Sequence, residues 1–175
     1  TPSRKMQYLE FEYPDKQPTR RSSAHDLLRH TFTSPQENSQ AMRTVMVIFG
    51  ASGDLAARKL IPALYSNFRK RRLPRDTRII GFSTSAFSDD EYRAMMKAAV
   101  QEHAARLYDT ATWDLFASCF SYQPGNLEND ADYRALSDAM RLDDGVFVDC
   151  LYYFAIAPSY FPVALVKLGS AGMLA

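Results

Sequence analysis

Residues 44–175 predict an α/β fold, a doubly wound parallel Rossmann-like sheet. Three observations carry that expectation. Short apolar runs alternate with stretches of helical period from Thr44 to the last residue. No hairpin-length connection joins one run to the next, so neighbouring strands must pair in parallel through right-handed crossovers. The first run is apolar throughout and meets its helix through a turn of small residues, Gly50-Ala51-Ser52-Gly53.

Before the alternation, residues 1–43 read differently. Pro2, Pro14, Pro18 and Pro35 interrupt them, and Thr33–Gln40 is polar without period, which predicts an extended or flexible arm with a short helix around Ala24–His30. Thr44–Phe49 then forms the first strand. In the helix that follows, Leu60, Ile61, Leu64 and Phe68 make one apolar stripe, and the basic run from Arg69 to Arg72 suits the negative end of its dipole. Thr77–Phe82 reads as a second strand, interrupted at Gly81. Ser88 and Glu91 have capping-box spacing, so a long helix should open at Asp89. A shorter helix fits 111–119, and 120–125 is a third strand stopped by Pro124-Gly125. Tyr133, Leu136 and Met140 mark the next helix, Val148–Ala157 the fourth strand, and Pro158 and Pro162 the turn and first coil of a last helix.

Bulk composition narrows the function classes. Hydrophobic residues are 46% and charged residues 23% of the 175, as in globular domains rather than disordered chains. With 21 basic against 20 acidic side chains the net charge is +1, which gives no electrostatic case for nucleic acid or an anionic membrane as partner. No stretch has the roughly 20 apolar residues of a membrane span. Cys119 and Cys150 are too few for a disulfide scaffold or a metal site and read as reduced, mostly buried thiols. Residues 1–40 contain no apolar signal core, so the expected location is cytoplasmic.

The turn after the first strand is the candidate site. Unpaired amides at a helix N-terminus hold a pyrophosphate, and Gly50 and Gly53 are spaced as Gly-x-x-Gly with Ala56 at the third small position. Gly50 can take the angles of a sharp turn, and Gly53 lets an anion approach the backbone. Ser52 adds a hydroxyl. Asp54 is expected to cap the helix rather than face a phosphate. A strand-to-helix corner without a ligand is the plain alternative. Tyr152, Tyr153 and Tyr160 have no lysine four residues on, which sets aside a short-chain reductase.

The segment "GASGDLAARKLIPALY", Gly50 to Tyr65, closely resembles the fingerprint of glucose-6-phosphate dehydrogenases. "RIIGFSTSAFSDDEYR", "FSYQPGN" and "LYYFAIAPSYFPVALVKLG" resemble the family's second, third and fourth strand segments, so the resemblance covers about Met42 to Gly172. It implies a coenzyme domain at 44–175, incomplete before a second α+β domain, in an enzyme that oxidises glucose 6-phosphate to its lactone and reduces NADP. It implies that Gly50, Ala51, Ser52, Gly53, Asp54 and Leu55 hold the pyrophosphate and that Lys59 reaches towards the phosphates and the reacting centre. It further implies that Ala157 and Pro158 line the nicotinamide side of the groove, and that the full-length protein is a homo-oligomer.

The second strand's end bears on the coenzyme. NAD enzymes commonly carry a carboxylate there, whereas Gly81-Phe82-Ser83-Thr84-Ser85 has none before Asp89. NADP is therefore the expected coenzyme. Where Thr84 stands the family usually has an arginine on the 2′-phosphate, so Ser83 and Thr84 are left to meet that group with hydroxyls. His25, His30 and His103 read as surface residues rather than the general base of this reaction, which the resemblance places further along a longer chain. Two classes of function follow: the coenzyme-binding part of a dehydrogenase, inactive by itself, or a non-catalytic dinucleotide-binding module.

Overall fold

The computed structural model describes residues 43–74, 76–141 and 148–174. Except for Arg43, the arm expected at 1–43 lies outside the described residues, together with the short helix at Ala24–His30 and its two histidines. The elements are β1 (Arg43–Phe49), α1 (Ile61–Arg69), β2 (Arg78–Ser83), α2 (Asp89–His103), α3 (Thr110–Ala117), β3 (Phe120–Pro124), α4 (Asp130–Met140), β4 (Val148–Phe154) and α5 (Phe161–Ser170). A π-turn at Ala56–Leu60 precedes α1, and a 3₁₀ turn at Pro158–Tyr160 precedes α5.

All strands are parallel, in the order β3-β2-β1-β4. The chain moves outward from β1 through β2 to β3, then crosses back to place β4 on β1's other side. That reversal is the switch point at which open α/β sheets hold ligands, just beyond the strands' C-terminal ends. Met46, Ile48 and Ile79 pack under α1, α2 and α3 with Tyr65, Met96, Trp113 and Phe116. Val45, Val47, Phe49, Ile80 and Phe82 face α4 and α5 on the opposite side, against Tyr133, Leu136 and Leu168. With both faces covered, β1 has to be apolar at successive positions, and Val45–Phe49 are buried without a break.

Three sequence expectations change. Gly81 does not interrupt β2: it pairs with Ile48 and Tyr122 inside the ladder. A Cβ there would lie 2.7 Å from the Tyr92 ring, so the glycine makes room for α2 against the sheet. The fourth strand ends at Phe154 rather than Ala157, because the last bond to β1 is Ala155 N–H to Phe49 O, 2.8 Å. The cysteines are not mostly buried: Cys119 is half-buried and Cys150 exposed. An apolar run need not be interior when its strand closes a sheet. Leu151 and Tyr153 of β4 point to the α1 side, beyond the cover of α1–α3, and are 53% and 36% exposed.

Candidate functional site

Phe49 ends β1, and Gly50 then takes φ +77°, a left-handed conformation that only glycine enters without strain. Space reinforces the requirement, since a Cβ on Gly50 would sit 2.5 Å from Ala155 O. The amides of Gly50 and Ala51 both donate to Phe82 O, at 2.9 and 3.3 Å, and Gly53 N–H donates to Gly50 O at 2.9 Å. These three groups fold the turn and are not free for an anion. Helical bonding begins with Ala57 N–H to Gly53 O, 3.1 Å. Among the described residues, nothing accepts from the amides of Ser52, Asp54, Leu55 and Ala56. Orphan amides at the positive end of a helix form an anion-binding donor set.

Asp54 departs from its expected role, for its carboxylate makes no cap. It pairs with Arg58 at 3.5 Å, and at 77% and 57% exposure this i,i+4 pair contributes little to stability. Its effect is local: the negative charge of Asp54 beside the orphan amides is partly offset by Arg58.

The π-turn has a covalent cause. Pro62 has no N–H, so Arg58 O has no i+4 donor, and the helix instead bonds Ile61 N–H to Ala56 O, five residues back. Lys59 lies in this widened turn with an exposed side chain. It has no described partner.

Beside the turn, three serines meet. Ser52 Oγ is 2.8 Å from Ser83 Oγ and accepts from Ser85 Oγ at 3.0 Å. Tyr122 of β3 donates its hydroxyl to Ser85 O (2.8 Å) and Ser83 O (3.2 Å), and Gly125 N–H also reaches Ser83 O (2.9 Å). Burial pushes the Tyr122 phenol above its ordinary range, so it stays protonated and donates. The segment after β2 is thereby held between the turn after β1 and the end of β3.

These elements surround a cleft of about 210 Å³ at the strands' C-terminal ends. Gly50, Ser83, Thr84 and Ala157 line it, as the sequence suggested, together with Phe82, Gly125, Leu127, Ile156 and Tyr160, which it did not. Gly125 had a legible signal, the Pro-Gly that stops β3; its own Cβ would fall 2.4 Å from the Phe82 ring. Ala51 is buried below the turn; Ser52, Gly53, Asp54 and Leu55 continue the turn beside Gly50 and do not themselves line the cleft. Lys59 and Pro158 do not line the cleft. His103 ends α2, 3.8 Å from Glu102, and is not a cleft residue either.

The donor set fits a dinucleotide: amides at Ser52 and Asp54–Ala56 for a diphosphate, an apolar slot between Phe82, Leu127 and Ile156 for a flat ring, and hydroxyls at Ser83 and Thr84 for a ribose or its phosphate.

Comparison with known proteins agrees with this geometry. The family model described as "Glucose-6-phosphate dehydrogenase, NAD binding domain" matches residues 47–175. Glucose-6-phosphate 1-dehydrogenase 2 of Mycobacterium bovis is 32% identical over 131 residues, which are 73% of this chain and 26% of that protein. The crystal structure of glucose-6-phosphate 1-dehydrogenase from Mycobacterium avium superposes with a TM-score of 0.66 at 27% identity, over 75% of this chain and 28% of its own. A glucose-6-phosphate dehydrogenase in complex with its substrate glucose-6-phosphate gives the same TM-score at 31% identity, over 74% and 28%. The chain thus spans about a quarter of the length of the curated relatives it matches.

Proposed function

The chain belongs to the glucose-6-phosphate dehydrogenase family, through the NAD binding domain of that family, and from this premise we propose that it is the coenzyme-binding part of an oxidoreductase that converts glucose 6-phosphate to 6-phosphogluconolactone and reduces NADP. The observation that carries the reading is the set of orphan amides at Ser52 and Asp54–Ala56 beside the cleft at the switch point. In this reading Gly50, Ala51 and Gly53 shape the turn and the amides of Ser52, Asp54, Leu55 and Ala56 hold the diphosphate. Ser83 and Thr84 receive the adenosine ribose with its 2′-phosphate, and Ala157 and Pro158 flank the nicotinamide side. Lys59 supplies the nearby cation. Bound nicotinamide would accept the hydride. The absence of a carboxylate between Phe82 and Ser88 supports NADP, since nothing in that segment repels a dianion. The reading extends to a cytoplasmic homo-oligomer at full length, serving the pentose phosphate pathway, as the resemblance implies.

A second reading, a dinucleotide-binding module without turnover, draws on one observation: no histidine lines the cleft among the described residues. A hydroxyl cannot be oxidised efficiently without a group that takes its proton. Calorimetric titration of this chain with NADP should give saturable binding, and its absence at millimolar coenzyme would overturn the coenzyme role. Adding glucose 6-phosphate to the NADP-loaded chain should produce no reduced nicotinamide absorbance. Turnover there would mean that a residue of this chain acts as the base.

A further inference from the structure

We infer that Tyr122 is a positioning residue of the coenzyme cleft, which fixes the Ser83–Ser85 segment so that Ser83 and Thr84 present their hydroxyls to the adenosine side. This rests on the coenzyme role proposed above and assigns one element of the site to a residue that does not line it. Tyr122 belongs to β3, while the segment it holds follows β2 and precedes α2. Its ring is buried between Tyr92, 4.8 Å away, and Phe87, 5.7 Å away, which fixes the direction of the hydroxyl. The backbone is anchored as well, since Tyr122 N–H donates to Asp89 Oδ1 at 2.6 Å in the first turn of α2. From this mounting one phenolic oxygen spans the carbonyls of Ser83 and Ser85, the two residues that flank Thr84.

Consequences for the cleft follow from the geometry. With both flanking carbonyls tied down, Thr84 is the tip of a pinned turn, and its side chain is exposed at the cleft wall. The same turn carries Ser83 Oγ and Ser85 Oγ onto Ser52 Oγ of the phosphate turn. Tyr122 of β3 thus holds the backbone of the segment after β2, and the serine hydroxyls of that segment bond in turn to Ser52 in the turn after β1. Ser52 reaches the network by its side chain and leaves its amide to the anion. Loss of the Tyr122 oxygen would loosen the segment at Ser85, with Ser83 O keeping only Gly125 N–H, and leave the turn after β1 folded, because that turn is held by Phe82 O and Gly50 O instead.

The test compares the chain with Tyr122→Phe, which keeps the ring and removes the oxygen, and with Ser85→Ala, which cuts the link to Ser52. In the ligand-free Tyr122→Phe chain, amide hydrogen exchange should quicken at Ser83–Ser85 and stay unchanged in β1 and α1. Nuclear magnetic resonance titrations with 2′,5′-ADP and with inorganic pyrophosphate then separate the two ends of the cleft. Tyr122→Phe should weaken 2′,5′-ADP about five- to tenfold, the scale of one or two lost hydrogen bonds, with pyrophosphate changed by less than about twofold; Ser85→Ala should shift 2′,5′-ADP in the same direction. Unchanged exchange at Ser83–Ser85, or equal weakening of both probes, would overturn the positioning role. A parent chain that binds pyrophosphate but neither 2′,5′-ADP nor NADP would overturn the coenzyme reading itself.

Discussion

Gly50 is the residue on which the site turns, and two independent constraints exclude a side chain from it. Its φ of +77° costs a non-glycine residue about 1–2 kcal/mol, and a Cβ would sit 2.5 Å from a backbone oxygen that a strand holds in place. Gly50→Ala should therefore lower stability by about 2–4 kcal/mol, read as a fall in the urea midpoint. Gly53→Ala, whose Cβ would be 3.1 Å from Gly50 O, should cost about 1 kcal/mol or less. At this scale the sequence was informative where a residue type answers a backbone need, as at Gly50 and Gly53. It was silent where a common residue is used for one atom. Tyr122 reads as any inward aromatic of a strand, and its role depends on carbonyls nearly forty positions away. Asp54 was misread for a related reason, because a carboxylate at a helix start suits a cap and an i,i+4 pair equally until the helix path is known.

Among the helices, α2 has the plainest start. Ser88 Oγ accepts from Glu91 N–H, and the Glu91 carboxylate accepts from Ser88 N–H and Ser88 Oγ–H, each at 2.8 Å. Those two bonds hold the Glu91 carboxyl below its ordinary range. The folded state therefore binds the proton less readily than the unfolded chain. The box's contribution is present above the unfolded pKa and is lost as pH falls through the ordinary carboxylate range to the folded value. The stability difference between the parent and Glu91→Gln should shrink as pH drops below about 5, seen in thermal melts across an acid series. A difference that stays constant with pH would remove Glu91 from the acid response. Elements marked by such local chemistry were legible: the capping box gave the start of α2 at Asp89, and Pro124-Gly125 gave the end of β3. The continuity of β2 through Gly81 and the end and exposure of β4 were not, because a glycine within a ladder and a strand at a sheet's margin are defined by neighbours from other segments.

At the scale of the whole molecule, the sheet is well covered at β1 and β2 and bare at one margin. Leu151 and Tyr153 on β4 are exposed apolar residues on the α1 side of the sheet, and Leu165 and Val166 of α5 are exposed as well. An apolar strand at a sheet margin is a liability for association. The chain should self-associate with rising concentration, and Leu151→Lys should reduce this in sedimentation velocity without lowering coenzyme binding. Equal association of the two chains would place the contact elsewhere. The order β3-β2-β1-β4 also has a consequence in time. Gly50 is braced against Ala155, and β1 takes β4 as its neighbour from on the order of a hundred residues downstream. During synthesis on the ribosome β1, β2 and β3 emerge first and can pair, but the turn after β1 has no wall at its back until Ala155 has left the exit tunnel. The nascent protein acquires its fingerprint early and its binding site late.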